Sequence, residues 1–127
     1  MGTRRTIILS GAPGAGKSTV ALALCQCFDR AVHLDVDNLR KVVVSGYLPP
    51  LPPSKEADAQ FELTKQNVIA MTQNFVGADY RVVIDDVLDR PHVYSDGLAA
   101  LKPYSVYLRP NLSVCLARNH ERDSKNF

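Results

Sequence analysis

The sequence predicts an α/β protein built on a parallel sheet, and three observations carry that prediction. Short apolar runs rich in β-branched residues alternate with segments whose apolar residues recur at helical spacing. A Gly-rich loop joins the first such run to the first such helix. Acidic residues stand where the runs end, Asp35 and Asp37 after the second and Asp85 and Asp86 at the close of the third. Ligands of open parallel sheets gather beyond the carboxyl ends of the strands, so one cleft collects the loop and both acidic pairs.

Each element follows from local pattern. Thr6-Ile7-Ile8-Leu9 reads as a buried strand. It runs into Gly11-Ala12-Pro13-Gly14-Ala15-Gly16-Lys17-Ser18, which has the form G-x-x-x-x-G-K-[ST]. The glycines admit backbone dihedrals closed to other residues, so successive N–H groups point inward at an anion. Lys17 reaches the β- and γ-phosphates and Ser18 offers a hydroxyl to Mg²⁺. Val20, Leu24, Cys27 and Phe28 fall at helical spacing, so Lys17 opens a helix whose N-terminus faces the phosphates. A Gly-rich turn that binds nothing would not need a strand before it and a helix after it. Ala12, Pro13, Gly14, Ala15, Gly16, Lys17, Ser18 and Thr19 are therefore the expected nucleotide-binding residues.

Ala31-Val32-His33-Leu34 is the second strand, and Asn38 to Val44 reads as a short helix ended by Ser45-Gly46. Leu48-Pro49-Pro50-Leu51-Pro52-Pro53 excludes helix and inner strand. It has the form of a P-x-x-P partner ligand, but no disordered tail surrounds it, which favours a stiff loop. Ser54 is the expected N-cap of the longest helix, which runs to about Val76 and is stopped by Gly77. Ala57, Phe61, Val68, Met71 and Phe75 give that helix a core face, with Thr64 as a polar exception. Tyr80 to Asp86 is the third strand, Asp89-Arg90-Pro91 breaks the chain, Leu98 to Leu101 is a short helical piece and Ser105 to Leu108 the fourth strand. Leu112 to about Arg122 reads as a helix with Arg118 and Arg122 on one face.

At 127 residues the chain suits one domain, with 46% apolar and 22% charged residues, as in ordinary soluble proteins. A net charge of +2 is too mild to argue for a nucleic-acid or membrane surface. Cys25, Cys27 and Cys115 have no metal or redox spacing and read as buried thiols of a reducing compartment. The apolar run after the basic start is too short for a signal peptide or a membrane span, so a cytoplasmic location is expected. No oligomeric state is assigned.

Asp85 ends an apolar strand in the manner of a Walker B acid and is expected to support Mg²⁺ beside Ser18. Asp86 either backs that metal shell or touches the phosphoryl acceptor. In Asp35-Val36-Asp37-Asn38-Leu39-Arg40, Asp37 has the chemistry to accept a proton from an acceptor hydroxyl, and Arg40 to hold the acceptor or the transferring group. On spacing alone, a helix-capping Asp37 and a solvated Arg40 weigh equally. Arg118 and Arg122 suit lid arginines over a triphosphate or an exposed mixed-charge face. His33, His92 and His120 show no metal-ligand spacing and read as structural or solvent-facing. No N-K-x-D and no D-x-x-G after the third strand appear, against a switch GTPase, and the chain is short for a helicase or ring ATPase. Small phosphotransferases are what is left.

GAPGAGKS, DVDNLR, VVIDDV and RPNLSVCLARNHER together resemble the P-loop kinase group that holds chloramphenicol phosphotransferase, the zeta toxins and the polynucleotide 5′-kinases. The resemblance covers nearly the whole chain. It implies a three-layer, nucleoside-kinase-like P-loop NTPase fold with a parallel sheet ordered 2-3-1-4-5, whose fifth strand has no counterpart here. It further implies one domain over residues 1–127 with a lid over 109–127, Asp37 as catalytic base, Arg40 as its partner and Arg118 and Arg122 in the lid. The expected activity is transfer of the γ-phosphoryl of ATP·Mg²⁺ to a hydroxyl of a small molecule. The alternatives are a 5′-hydroxyl nucleic-acid kinase, disfavoured by near-neutral charge and few aromatics, and a nucleotide-binding module without turnover. The acceptor-binding region is expected at roughly residues 42–61.

Overall fold

In a computed structural model the described residues are 4–12, 16–49, 52–87 and 94–108. Four strands, β1 (Thr6–Gly11), β2 (Ala31–Asp35), β3 (Arg81–Asp86) and β4 (Tyr104–Leu108), form one sheet in the order β2-β3-β1-β4. Every pairing is parallel, with Thr6 opposite Val82, Ala31 opposite Arg81 and Ile7 opposite Tyr104. The order is the one the resemblance implies for the first four strands. The helices are α1 (Lys17–Gln26), α2 (Val36–Arg40), α3 (Lys55–Gly77) and α4 (Ser95–Leu98), the last continued by a 3₁₀ turn over Ala99–Leu101.

Strand alternation splits the core into two layers. Ile8, Leu34, Val82 and Ile84 face α3 and α4, where they bury Val68, Tyr94 and Leu98. Leu9 and Val83 face the other way, against Ala21 of α1. Burying an aliphatic side chain of this size contributes about 1.5–3 kcal/mol, so the two layers fix the sheet between its helices. Among the described residues β4, at one edge, is the least covered strand, with Tyr104, Val106 and Tyr107 exposed.

Helix α3 follows its sequence closely. Ser54 caps it, its side chain accepting from the Ala57 N–H at 3.0 Å, and Glu56 and Asp58 favour the positive end of the dipole. The buried positions are Ala57, Thr64, Val68 and Thr72. Both threonines solve their burial locally: Thr64 Oγ1 donates to Gln60 O at 3.1 Å and Thr72 Oγ1 to Val68 O at 2.7 Å. The helix ends at Gly77, within one residue of the expected stop. The chain turns at Asp79, which takes φ 70 and pairs its carboxylate with Arg5.

α2 departs from expectation more. It spans Val36–Arg40 rather than 38–44, because Asp35 caps it, accepting from the Asn38 N–H at 3.3 Å and from Asn38 Nδ2 at 3.1 Å. Cys27 is exposed rather than buried, whereas Cys25 is half-buried and its thiol is pushed up by burial. The expected helix over 112–122, its Arg118 and Arg122, the lid over 109–127, His92, His120, Cys115 and loop residues Pro13, Gly14 and Ala15 lie outside the described residues.

Candidate active site

The site is assembled at the carboxyl ends of β1, β2 and β3. β1 hands the chain into the P-loop at Gly11, and Gly16 returns it at φ 89 and ψ 22, a left-handed conformation that costs a residue with a Cβ about 1–2 kcal/mol. α1 then starts at Lys17 with no side-chain cap and no acidic residue in its first turn. Its first intrahelical bond runs from Val20 N to Gly16 O at 3.0 Å. The amides of Lys17, Ser18 and Thr19 thus precede the helical ladder, at the positive end of the dipole, where anions are stabilised. Lys17 is buried and its Nζ donates to Ala12 O at 3.3 Å, which bends the ammonium back across the loop.

Adjacent residues of a strand point to opposite faces, and Asp85 and Asp86 therefore separate. Asp85 turns towards α1. Ser18 Oγ donates to Asp85 Oδ2 at 2.9 Å, and His33 Nε2 approaches the same oxygen at 3.0 Å. A hydroxyl and a carboxylate oxygen, held together from two elements, suit Mg²⁺, which takes oxygen ligands and completes its shell with water and phosphate. His33, expected to be structural or solvent-facing, is instead a neighbour of this pair and 16% exposed. Period-two alternation carried the signal: Val32 and Leu34 face one core layer, which sends His33 to the α1 side.

Asp86 turns the other way, into the α3 layer. Tyr94 donates its hydroxyl to Asp86 Oδ2, and Arg40 Nη2 donates to Oδ1 at 3.2 Å. The Asp86 side chain is 1% exposed and that of Arg40 11%. Burial pushes the Asp86 carboxyl up from its usual range, against the opposing pull of the Tyr94 hydroxyl and the Arg40 guanidinium. Burial also pushes the Tyr94 phenol far up, reinforced by the Asp86 charge, so it stays protonated as a donor. Tyr94 was not singled out by its sequence, which offers no periodic or motif signal at that position.

Arg40 is therefore bound to Asp86, not to Asp37. Asp37 stands in the first turn of α2, 54% exposed, with its carboxylate 3.2 Å from Lys41 Nζ. It is not the cap of that helix, a role Asp35 fills. From Asp86 the Arg40 guanidinium extends to 5.7 Å from the Phe61 ring centroid. There it joins the wall of a small, partly open pocket between the segment after α2 and the start of α3. Tyr47, Leu48, Ala57, Phe61 and Thr64 line it with Arg40. Gln60 builds that wall: its Nε2 donates to Gly46 O at 2.6 Å and its Oε1 accepts from Leu48 N at 2.9 Å. Five of these seven lining residues, Tyr47, Leu48, Ala57, Gln60 and Phe61, lie in the stretch 42–61 expected to bind the acceptor, whereas Arg40 and Thr64 flank it.

A family model described as an AAA domain matches residues 7–127. The chain belongs to this family. The fold of this AAA-domain chain is that of the small P-loop kinases. It is similar to the solved Pnkp1/Rnl/Hen1 complex, at TM-score 0.65 and 22% identity over 93% of this chain and 40% of that one. It is similar to shikimate kinase from Acinetobacter baumannii in complex with shikimate, at TM-score 0.62 and 23% identity over 98% and 66%. It is also similar to an unliganded sugar kinase from Janibacter sp., at TM-score 0.69 and 16% identity over 94% and 68%. The AAA-domain chain thus spans 40% of the first of these and 66% of the second. No curated protein sequence matches. Among the described residues no helix is long and apolar enough to cross a membrane.

Proposed function

We propose that the chain is a phosphotransferase that binds ATP with Mg²⁺ and moves the γ-phosphoryl group to a hydroxyl of a small molecule. The observation that carries this reading is the 2.9 Å contact of Ser18 with Asp85, which pairs a hydroxyl from the P-loop helix with a carboxylate from β3. Lys17 and the amides around Gly16 to Thr19 hold the phosphates, and Ser18 and Asp85 hold the metal. Mg²⁺ held by these two residues would supply charge neutralisation at the phosphates. Asp37 orients the acceptor hydroxyl and takes its proton as the new O–P bond forms and the bond to the β-phosphate oxygen breaks. Its exposure and its place beyond β2 are compatible with that work, since a base must meet an incoming hydroxyl. Arg40, on the wall of the pocket beside Phe61, holds the acceptor rather than the transferring group.

Arg118 and Arg122, in a lid over 109–127 of one domain spanning 1–127, would stabilise the transferring charge. A cytoplasmic location goes with this reading. The decisive experiment incubates purified protein with Mg·ATP and a panel of hydroxylated acceptors, including shikimate, sugars and 5′-hydroxyl oligonucleotides, and follows ADP. ADP that appears only with an acceptor is the expected result. ADP with none of them, despite nucleotide binding, would reduce the chain to a nucleotide-binding module. ADP with the oligonucleotides alone would make it a 5′-hydroxyl nucleic-acid kinase.

A further inference from the structure

The pocket beside Arg40 is particular in how little of its polar lining is left for a ligand. Gln60 spends both ends of its amide on the backbone of Gly46 and Leu48, and Thr64 spends its hydroxyl on the Gln60 carbonyl. Leu48, Ala57 and Phe61 are apolar. What remains is the Tyr47 hydroxyl and the Arg40 guanidinium, whose Nε is buried with no hydrogen-bond partner among the described residues. A polyol would lose water here from hydroxyls that find no partner, at a cost of about 1–3 kcal/mol each. A molecule with an apolar ring face and one accepting oxygen loses least here, and the tight lining admits only a compact one.

Charge narrows the class further. Among the described residues Arg40 is the only ionised one on the lining, and Asp86 at 3.2 Å already balances it. A carboxylate or phosphate entering the pocket would meet a guanidinium whose charge Asp86 already balances. A neutral carbonyl or hydroxyl oxygen needs only a donor, and the Arg40 guanidinium stands on the lining. Resting on the kinase reading above, we propose that the pocket selects a compact, uncharged, ring-bearing alcohol as acceptor, and that Asp86 sets this preference by neutralising Arg40.

A matched series tests it: 4-(hydroxymethyl)benzamide, 4-(hydroxymethyl)benzoate and 4-(hydroxymethyl)phenyl phosphate, titrated into the whole protein and followed by NMR. The neutral amide is expected to bind at least about tenfold tighter than the benzoate, and the phosphate to bind weakest. Asp86→Asn removes the balancing charge at constant shape, so the benzoate should gain about tenfold or more on the amide. Tyr94→Phe keeps the Asp86 charge and should keep the wild-type ranking, which preserves the test if Asp86→Asn fails to fold. Equal or tighter binding of the benzoate or phosphate to the wild type overturns the proposal. So does binding of none of the three, or an unchanged ranking in folded Asp86→Asn. ADP release with the same compounds is read separately: the expected ranking without any ADP leaves the charge preference standing and sinks the kinase reading.

Discussion

Asp86→Ala should be the most damaging single change in the described part of the protein. The substitution removes a carboxylate that is 1% exposed and leaves two groups without their partner. One is the Arg40 guanidinium, 11% exposed, and a charge left unpaired at such depth costs about 3–5 kcal/mol. The other is the Tyr94 hydroxyl, buried in the α3 layer, where an unsatisfied donor costs about 1–3 kcal/mol. The two do not add, since water entering the space of the lost carboxylate serves both, so the expected loss is about 3–5 kcal/mol. For a chain of 127 residues that corresponds to a fall in Tm of roughly 10–20 °C. The sequence contains no tryptophan, so urea unfolding is best followed by far-UV circular dichroism. The slope of the transition should stay constant, so that the midpoint reports stability alone. Tyr94→Phe is the internal comparison: it deletes one donor, leaves the ion pair, and should cost about 1–3 kcal/mol. A loss below about 1 kcal/mol for Asp86→Ala would refute the reasoning, because it would mean that Arg40 reaches water without Asp86.

Three further outcomes follow from the same geometry. Saturating Mg·ATP at a hundredfold its Kd should contribute about 2.7 kcal/mol to wild-type stability, and Lys17→Ala should remove most of the corresponding thermal shift; an undiminished shift would put the nucleotide elsewhere. Asp37→Asn should lower kcat by roughly 10²-fold while leaving Mg·ATP affinity nearly intact, since Asp37 is exposed and pairs only with Lys41 among the described residues. If the binding constant falls in step with kcat, Asp37 serves the metal or the fold instead. Because burial raises the Asp86 carboxyl, the folded state holds that proton more tightly than the unfolded chain does. The resulting stability is present below the ordinary aspartate range and is lost as pH rises through the raised folded value. Wild type should therefore lose ground to Asp86→Asn across that interval, and a constant difference in urea midpoints from acid to neutral pH would contradict the direction of the shift.

Much of this fold was legible because its signals are local. The P-loop needs only spacing, the four strands announce themselves as β-branched runs, and Ser54 marks the start of α3 by chemistry alone. The errors came where a side chain chose between two local partners. Asp35, not Asp37, took the cap, which moved α2 back by two residues and set Arg40 at its last position, from where it reaches β3. Neither Tyr94 nor His33 carries a motif, and each gained its place through a partner far away in sequence or on another element.

The division of labour between Asp85 and Asp86 lies between these extremes. Strand alternation requires that neighbouring residues face opposite ways, and the order β2-β3-β1 makes the chain step in one direction across the sheet through α1 and in the reverse direction through α3. Right-handed crossovers running in opposite directions must lie on opposite faces, so α1 and α3 could only cover different sides. One of the two carboxylates was thereby bound to meet the P-loop helix, and the other to sink among the side chains of α3. Which was which needed the register: Leu9 opposite Asp85 shares the α1 layer, whereas Ile8 opposite Ile84 shares the other. From that single alternation the same strand end presents a carboxylate to the Ser18 hydroxyl on one side and balances the Arg40 charge on the other. The two side-chain clusters thus occupy opposite faces of one strand end, and among the described residues only the charge of Asp85, which adds to the upward push of burial on the Asp86 carboxyl, links them.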